Sequence, residues 1–344
     1  MQNENRIPVA VLMGGGGYEH DVSLRSAQNL LCAIDRTLFD PIPILIDKKE
    51  DWYLISSDNP PRPTFPVRME GKIGFLNDGE ILSVAAVFPM LHGDKGEDGR
   101  IQGVLDAVGI PYVGEGVLSG ALTSDKIHTK IIAEHFGVPT VEWICATEAD
   151  NEDSVRRHAE VLFGYPMFIK PTGLGSSLGA HRVLTKDDFS DAYRDAIRLG
   201  KRILIERMLT EKRELEIGFF KDKDELFITP AGEVALGGFY DYDEKYSEKS
   251  NAKIFARADL PSEIASALSG YTTTLIRALN LNAMGRIDFF LHQGRIYLNE
   301  INTMPGFTES SLYPRMMELA GISPTELITR LILSGIKRSD DRHF

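Results

Sequence analysis

The sequence predicts an α/β protein of three consecutive domains, the first of which is an open parallel sheet. Three observations lead to this prediction. Over the first 115 residues short apolar strands alternate with helical patterns, as in parallel sheets covered by helices. A glycine–serine hairpin follows in the middle of the chain, and a polar hairpin follows near its end. The length of 344 residues is enough for two or three domains.

The composition is that of a globular protein, with 43% hydrophobic and 26% charged residues. The net charge of −12 argues against general binding to nucleic acid or to an anionic membrane. We expect no membrane span and no secretory signal, because no apolar run has the required length and position. The two cysteines, Cys32 and Cys145, form no metal motif. A reducing cytoplasm fits this pattern.

Residues 1–115 are predicted to form the N-terminal α/β domain. A strand at 8–13 runs into the glycines at 14–17 and then into a helix, an arrangement in which backbone N–H groups can meet an anion. Glu19 stands where a dinucleotide fingerprint requires glycine. Its carboxylate would repel a pyrophosphate and attract a substrate ammonium. The alternative is an ordinary glycine turn with a solvated glutamate.

A second polar loop of this domain follows a buried strand. Residues 84–89 are predicted to form the strand, and residues 91–99 (LHGDKGEDG, which includes His92) form the loop at its carboxyl end. Open α/β sheets bind ligands at this end of their strands, so the loop is predicted to line a ligand site. The proline-rich stretch at 56–72 is predicted to be a surface loop.

Residues 116–206 are predicted to form a central domain. A helix over about 118–136 carries Lys126, and a strand at 167–171 leads into the glycine–serine loop at 172–179. Because the chain returns as a strand and no G-x-x-x-x-G-K-[ST] motif occurs, a Walker-type P-loop is excluded. The loop is predicted to be either a flap over nucleotide phosphates or a plain flexible hairpin.

Residues 207–344 are predicted to form the C-terminal domain. Its loop at 237–252 is long, polar and aromatic, and loops of this length in compact domains are usually functional. Helices are predicted over about 262–279 and, behind a Ser-Pro-Thr-Glu cap, from 323 to about 337.

The most informative stretch is a hairpin around Gly294, whose strands alternate with period 2. A turn centred on Gly294 places Asp288 opposite Glu300 and Arg286 opposite Asn302 on one face. Two carboxylates and an amide oxygen form a hard ligand set that suits Mg²⁺ shared with phosphate oxygens. An arginine beside them can clamp an anion that gains charge in a transition state. The alternative is the polar outer face of an ordinary hairpin.

Eight ordered blocks of the chain resemble the D-alanine–D-alanine ligases of the ATP-grasp superfamily. They are GGGGYEHDVSL, HGDKGEDGRIQG, PYVG, SDK, FIKPTGLGSSLG, YDYDEKY, GRIDFF and YLNEINTMPGFT. The resemblance covers nearly the whole chain and implies a three-domain ATP-grasp fold. It also implies a reaction in which ATP phosphorylates the carboxylate of one D-alanine. The amine of a second D-alanine then attacks the acyl phosphate, and the dipeptide serves peptidoglycan synthesis.

The resemblance implies roles for residues of every domain. Glu19 would bind the ammonium of the first substrate, and Arg286 with the backbone N–H of Gly306 would form the oxyanion site. Two Mg²⁺ ions, for which Mn²⁺ can substitute, would be held by Asp288, Glu300 and Asn302. The ATP site would lie between the central and C-terminal domains, under the lid loop 237–252. The residues of this site would be Lys126, Lys170, Ser176, Ser177, Glu206, Arg207, Leu209, Glu214 and Lys245. Ser176 and Tyr246 would lock the closed loops with Glu19, and the substrate sites would also include His92, Lys245, Ser311 and Leu312.

The partners expected from the family are D-alanine and ATP, in a homodimer. Without the surrounding motifs, each of the lysines would be interpreted as a solvated surface charge. The chain departs from the family pattern at Ser310, where many members have histidine, and at Arg257, where proline is usual. The segment 210–213 is one residue longer than usual, which affects the alignment of Glu214.

Three other functions remain open. The run EKYSEKSNAKI is similar to the D-alanine–D-serine ligases of vancomycin resistance, which leaves the second substrate undecided. A nicotinamide-dependent dehydrogenase could use the N-terminal glycines, although Glu19 and the carboxylate hairpin argue against it. A catalytically inactive ATP-binding regulator should have lost a metal ligand, and none is missing.

Overall fold

The computed structural model of the protein describes residues 6–175, 178–222, 225–235 and 253–340. Within these residues the strands form four sheets with helices packed on them. The first part of the chain contains β1 (Ile7–Gly14), α1 (His20–Ala33), β2 (Phe39–Ile46), β3 (Trp52–Leu54), β4 (Arg62–Pro63), β5 (Pro66–Met69), β6 (Lys72–Asn77), β7 (Glu80–Ser83), β8 (Ala86–Pro89) and α2 (Arg100–Val108). The first sheet has the order β4-β3-β2-β1-β8. Since β1 is parallel to β2 and β8, the loops after β1 and β8 leave the same edge of this sheet.

The prediction of a surface loop at 56–72 was wrong in part. These residues include β4, which pairs with β3, and β5, which forms a small antiparallel sheet with β6 and β7. Both β4 and β5 are edge strands, and an edge strand tolerates proline because one row of its N–H groups has no partner in the ladder. Proline content therefore concealed two edge strands.

The middle of the chain contains α3 (Val117–Ser124), α4 (Lys126–His135), β9 (Trp143–Thr147), α5 (Glu152–Leu162), β10 (Met167–Pro171), β11 (His181–Val183), α6 (Lys186–Gly200) and β12 (Arg202–Arg207). The second sheet is antiparallel, with the order β11-β10-β12-β9. The glycine–serine loop joins β10 to β11, so the predicted strand–loop–strand arrangement is confirmed.

The single helix predicted over about 118–136 was wrong, because two helices occupy this stretch. The backbone of Asp125 is extended, and its side chain accepts hydrogen bonds from the N–H groups of Ile127 and His128 at 3.0 and 3.2 Å. Asp125 is thus an N-cap, the position that aspartate favours. The cap makes Lys126 the first residue of α4.

The last part of the chain contains β13 (Arg213–Asp222), β14 (Glu225–Ile228), β15 (Gly232–Ala235), β16 (Lys253–Phe255), α7 (Ser262–Ala278), β17 (Met284–His292), β18 (Arg295–Asn302), α8 (Leu312–Leu319) and α9 (Pro324–Asp340). The third sheet has the order β16-β15-β13-β17-β18, and β14 also pairs with β13. Of the helices here, α8 was not predicted.

One hydrophobic core joins the first and third sheets. It contains Val9 of β1, Leu30 of α1, Phe220 of β13, Met284 of β17 and Leu331 of α9, all of which are almost completely buried. This shared core holds the loop after β1 in a fixed position over the third sheet. Among the described residues, no single helix combines the length and hydrophobicity needed to cross a membrane, and α8 with α9 does so only as a pair bent by 100°.

Candidate active site

The strands β17 and β18 form the predicted hairpin and are joined by a two-residue turn. Gln293 and Gly294 have positive φ angles of 48° and 77°, as tight hairpin turns require. The turn is therefore centred between these residues and not on Gly294. If the strand register set by this turn continued without interruption, Asp288 would lie opposite Asn299. The polar side chains of β18 would then lie on the opposite face of the sheet from Asp288.

A β-bulge corrects this register. The pairing shifts by one residue between Asp288 and Phe289, so Asp288 lies opposite Glu300 and Arg286 lies opposite Asn302. The extra residue in β18 turns its last polar side chains onto the face that carries Asp288. The predicted pairing is confirmed, although the bulge and not the position of the turn produces it.

Arg286 lies among carboxylates on this face, with 15% of its side chain exposed. Its Nε and Nη2 donate to Oδ1 and Oδ2 of Asp288, each at 2.7 Å, and its Nε lies 3.1 Å from Oε2 of Glu216. Glu216 lies opposite Asp288 across β13 and β17. Glu216, Asp288 and Glu300 thus form a row across three strands, which we name the carboxylate row. Burial alone would lower the pKa of Arg286, but Asp288 and Glu216 raise it well above its usual value.

Lys126 connects the carboxylate row to the glycine–serine loop. Its Nζ lies 3.6 Å from Oε2 of Glu300 and donates to the carbonyl oxygen of Leu174 at 2.9 Å. Only 11% of its side chain is exposed. Since the Asp125 cap fixes the start of α4, the helix holds this ammonium between the loop and the third sheet.

Glu216 and Glu300 of the carboxylate row line a cavity of about 530 Å³, whereas Asp288 is not among its lining residues. This volume lies within the usual range of small-molecule sites. Predicted site residues that line the cavity are Glu19, His92, Lys126, Arg286, Glu300, Asn302, Gly306, Ser311 and Leu312. The fold therefore brings together side chains that are almost 300 residues apart in the sequence.

Glu19 enters the cavity from the start of α1. A Cβ atom built on Gly93 would lie 2.0 Å from its Oε2, and one built on Gly175 would lie 3.0 Å from the same atom. Gly93 also has a φ of 68°, which favours glycine. The loop after β8 and the glycine–serine loop thus both pack closely against this carboxylate.

His92 links the first sheet to the segment that follows β18. Its Nδ1 lies 3.0 Å from the carbonyl oxygen of Met304, and its Nε2 lies 2.9 Å from Oγ of Ser26. A carbonyl oxygen only accepts, so Nδ1 carries a proton and donates it to Met304. The hydroxyl oxygen of Ser26 accepts the N–H of Phe307 at 3.3 Å. His92 therefore holds the backbone on both sides of Gly306.

A second ionic cluster lies on the second sheet, and we name it the lysine cluster. The carboxylate of Glu206, which is 4% exposed, lies 2.6 Å from Nζ of Lys170 and 3.0 Å from Nζ of Lys130. Burial alone would raise the pKa of Glu206, but the two lysines outweigh it and lower this pKa to about 2. Burial is also the main reason that the pKa of Lys130 is lowered.

Comparisons with known proteins identify the family. A family model described as the D-ala D-ala ligase N-terminus matches residues 8–115, and one described as the D-ala D-ala ligase C-terminus matches residues 132–333, more than half of the chain. The chain belongs to the D-alanine–D-alanine ligase family. This membership argues against the alternative of a nicotinamide-dependent dehydrogenase.

Individual relatives agree with the family models. A D-alanine–D-alanine ligase of Deinococcus radiodurans is 39% identical over 331 residues, covering 94% of this chain and 97% of the relative. One from Thermoanaerobacter sp. is 35% identical over 354 residues, covering 97% and 98%.

Solved structures of the D-alanine–D-alanine ligase family match the fold. The structure of the D-alanine-D-alanine ligase from Coxiella burnetii has a TM-score of 0.88 at 27% identity, covering 98% of this chain and 96% of the other. VanG D-Ala:D-Ser ligase from Enterococcus faecalis has a TM-score of 0.86 at 32% identity, covering 96% and 99%. The predicted ATP-grasp fold is confirmed by these matches.

The donor set predicted from the D-alanine–D-alanine ligases fits Mg²⁺ in its chemistry. Asp288, Glu300 and Asn302 supply only oxygen ligands from adjacent positions on one face. Among the described residues, no three Asp, Glu, His or Cys side chains already converge on one point as metal ligands would. Both oxygens of Asp288 accept from Arg286, and Oδ1 of Asn302 accepts the N–H of Met304 at 3.2 Å.

The other predicted ATP contacts that the structure describes lie on β12, on the connection to β13 and at the start of β13. Arg207 forms an ion pair of 3.2 Å with Glu142, and Leu209 is buried. Glu214 lies 3.1 Å from Nζ of Lys212. Ser176, Ser177, Lys245 and Tyr246 lie outside the described residues, together with the loop at 237–252. The roles of all these residues stay predictions.

Ser311 and Leu312 lie at the start of α8. Oγ of Ser311 accepts the N–H of Thr308 at 3.0 Å, and a Cβ atom built on Gly306 would lie 2.8 Å from this oxygen. Leu312 lines the cavity and is otherwise buried in a small apolar cluster with Val234 and Met316. The wall of the cavity at this end is therefore apolar on one side and hydroxylated on the other.

The sequence interpretation missed Glu216 and Lys130. The alternation of β13 places Glu214 and Glu216 on one face, and pairing this strand with β17 would have placed Glu216 beside Asp288. Lys130 follows Lys126 by one helical turn, so the period of a helix could have indicated it.

Proposed function

We propose that this protein joins two D-alanine molecules to D-alanyl-D-alanine, at the expense of ATP, for the synthesis of peptidoglycan. The γ-phosphoryl group of ATP is transferred to the carboxylate of the first D-alanine, and ADP leaves. The amine of the second D-alanine then attacks the acyl phosphate, and inorganic phosphate leaves. The observation that carries this proposal is the presence of Glu19, Lys126, Arg286 and Glu300 in one cavity.

The cavity offers opposite charges to the two ends of an amino acid. In the proposal, the carboxylate of Glu19 accepts from the ammonium of the first D-alanine. The guanidinium of Arg286 and the N–H of Gly306 face the carboxylate, where negative charge develops during both steps. Charge-assisted hydrogen bonds of this kind are roughly twice as strong as neutral ones, and they stabilise the tetrahedral intermediate.

We also propose that Asp288, Glu300 and Asn302 hold two Mg²⁺ ions, with Glu300 bridging them, and that Mn²⁺ can substitute. When bound, the metal ions neutralise phosphate charge during phosphoryl transfer. The carboxylate row supports this proposal because its three carboxylates outnumber the arginine that pairs with them.

The proposed ATP site lies between the regions 116–206 and 207–344, and region 1–115 holds the first substrate. Lys126 and Lys170 would contact the phosphates, Lys245 would lie near the γ-phosphate, and Ser176 with Tyr246 would close the site. The remaining proposed contacts are Ser177, Glu206, Arg207, Leu209, Glu214, His92, Ser311 and Leu312. A closed site is required, because water would hydrolyse the acyl phosphate. A homodimer located in the cytoplasm is proposed from the family alone.

The decisive experiment measures phosphate release from ATP with a panel of D- and L-amino acids and identifies the products by mass. The expected result is ATP- and Mg²⁺-dependent formation of D-alanyl-D-alanine, with L-alanine inactive. Phosphate release without a dipeptide, or equal use of L-alanine, would contradict the proposed function.

A D-alanine–D-serine ligase is the second candidate, favoured by the run EKYSEKSNAKI and by the similarity to VanG. Leu312 argues for D-alanine, because an apolar side chain gives a serine hydroxyl no partner, at a cost of about 1–3 kcal/mol. An apolar pocket nevertheless rejects an added hydroxyl by only about 10²-fold. We therefore expect D-alanine to be preferred with measurable use of D-serine, and Leu312→Arg to narrow or reverse the ratio of the two kcat/KM values. Equal kcat/KM values in the unaltered protein would identify the D-serine type.

A further inference from the structure

The bonds of Arg286 are in conflict with the proposed metal site. A side-on guanidinium occupies the near lone pairs of both Asp288 oxygens, at 2.7 Å each. A metal ion bound to Asp288 would share this carboxylate with the guanidinium, and two cations on one carboxylate repel each other. Each oxygen keeps a second lone pair, so a metal can still bind Asp288, but it binds better when Arg286 gives up at least one of these bonds.

When Arg286 gives up a bond to Asp288, its guanidinium needs another partner. Only 15% of its side chain is exposed, and an unpaired charge that is largely buried is destabilising. Its neighbour across the β13–β17 ladder is Gly218, which has no side chain that could accept a hydrogen bond. Glu216 lies two residues before Gly218 on the same strand, with Oε2 already 3.1 Å from Nε of Arg286. Only 14% of its side chain is exposed, and it lines the same cavity.

We propose that Glu216 is a positioning residue that retains Arg286 when Asp288 turns from the arginine to a metal ion. The proposal rests on the proposed function. Glu216 then keeps the guanidinium in the cavity, aimed at the reacting carboxylate, and frees Asp288 for the metal. Without this carboxylate, Asp288 is the main remaining partner of Arg286, because Glu300 contributes less to its pKa than Asp288 does, and the arginine then competes with the metal for Asp288.

Glu216→Gln tests this role because it removes the charge and keeps the shape. Mn²⁺ binding is measured by the paramagnetic resonance of the free ion, without ATP, so this measurement does not depend on turnover. We expect the Kd for Mn²⁺ to rise by about 10-fold and kcat to fall by about 10- to 100-fold, the range of a lost charge-assisted hydrogen bond. The KM for ATP should change much less than kcat. An unchanged Kd and an unchanged kcat would overturn the proposal.

Glu233→Gln is the matched control. Glu233 lies on β15 of the same sheet, pairs with Arg213 at 2.7 Å, and has a side-chain exposure of 16%, close to that of Glu216. This substitution should leave both the Kd for Mn²⁺ and kcat unchanged. An equal effect of the two substitutions would mean that loss of any carboxylate from the sheet weakens Mn²⁺ binding. The specific role of Glu216 would then be refuted.

A double-mutant cycle with Arg286→Gln separates positioning from direct metal binding. If Glu216 acts through the arginine, Glu216→Gln has no further effect on Mn²⁺ affinity in the Arg286→Gln background. A drop of the same size in both backgrounds would make Glu216 a metal ligand itself and overturn the positioning role. Glu216→Asp, which keeps the charge, should recover part of the lost affinity. If the unaltered protein formed no dipeptide, the proposed function would fail, whereas the Mn²⁺ measurements would still decide the relation between Glu216 and Arg286.

Discussion

The carboxylate row and the lysine cluster are ionic clusters on two different sheets, and α4 contributes a lysine to each. Lys126 approaches Glu300 of the row, and Lys130, about one helical turn later, approaches Glu206 of the cluster. In the row, three carboxylates meet one arginine and one lysine, so negative charge is in excess. In the cluster, one carboxylate meets two lysines, so positive charge is in excess.

This difference indicates what each cluster is suited to bind. A buried charge without full compensation is costly, and a ligand of the opposite sign reduces that cost. The row therefore favours cations, and the cluster favours anions. In the proposed ATP site, a nucleotide polyphosphate with its metal ions would carry both kinds of charge and contact both clusters, of which only the row lines the described cavity. We expect substitutions in the row to affect chemistry. In the cluster, Lys130 has no proposed contact with ATP, so its substitution should affect stability.

The largest effect is expected from Glu300→Gln in the carboxylate row. Loss of the charge that would bridge the two proposed metal ions should lower kcat by about 10³-fold or more. Thermal unfolding should change little, because the side chain of Glu300 is 27% exposed and its contact with Lys126 is 3.6 Å long. Steady-state kinetics and a melting curve on the same preparation test both statements. A near-normal kcat would refute the metal assignment.

Lys130→Met should instead act on stability. The side chain of Lys130 is almost completely buried against Glu206, and breaking a buried ion pair costs about 3–5 kcal/mol. We expect the low end of this range, since Lys170 still pairs with Glu206. Urea unfolding measures the loss. Lys126→Met, one turn earlier on the same helix, is the control and should lower activity more than stability; the opposite ranking would contradict the comparison.

The pH dependence of stability should reveal the lysine cluster. The pKa of Glu206 is lowered to about 2 from an ordinary value of 4.5. A lowered pKa contributes stability that is present above pH 4.5 and is lost as pH falls towards 2, about 3 kcal/mol in total. Urea midpoints measured from pH 6 to pH 3 should fall in the unaltered protein and fall less in Glu206→Gln. Parallel curves would show that Glu206 does not cause this loss.

Glu115 is a buried carboxylate whose pKa is shifted in the opposite direction to that of Glu206. Its carboxylate accepts the N–H groups of Asn282 and Ala283 at 2.7 and 2.8 Å, yet burial raises its pKa to about 7 against these bonds and against Arg338 and Lys221. A raised pKa contributes stability that is present below pH 4.5 and is lost as pH rises through 7. In Glu115→Gln, the plot of urea midpoint against pH should therefore be flatter between pH 4.5 and pH 7. Below pH 4.5 it should run parallel to that of the unaltered protein.

The smallest effect is expected from Glu19→Ala, which removes a charge at the other wall of the cavity. The KM for the first amino acid should rise about 10- to 100-fold, as expected for a lost charge-assisted hydrogen bond worth about 1.5–3 kcal/mol. The KM for ATP should change far less. If ATP binding were lost instead, the nucleotide would bind beside the first sheet. The proposal that the carboxylate row and the lysine cluster together bind ATP and its metal ions would then be wrong.

Much of the site could be predicted from local patterns. The alternation of 286–302 indicated which side chains share a face, and the glycine turn marked Glu19 as a candidate site residue, which the structure places in the cavity. Its role as an ammonium site stays a prediction. Local patterns failed where a neighbouring element decides the outcome. Proline at 60–66 suggested a loop, because sequence does not distinguish an edge strand from a loop when the pairing partner is unknown. One apolar helical pattern concealed two helices, because the cap at Asp125 lies within it.

The sequence by itself determined the family and the chemical types of the residues around the cavity, and it indicated the order of the main strands and helices, apart from β4, β5, α8 and the division between α3 and α4. Only the tertiary structure decided that a bulge brings Glu300 opposite Asp288, that Glu216 joins this row, and that Lys130 and Lys170 share one carboxylate. The physical reason is that residue types and periods are local properties, whereas register and ion pairs depend on how separate strands and helices pack. A shift of one residue exchanges the two faces of a strand, and no local pattern in β18 specifies that shift.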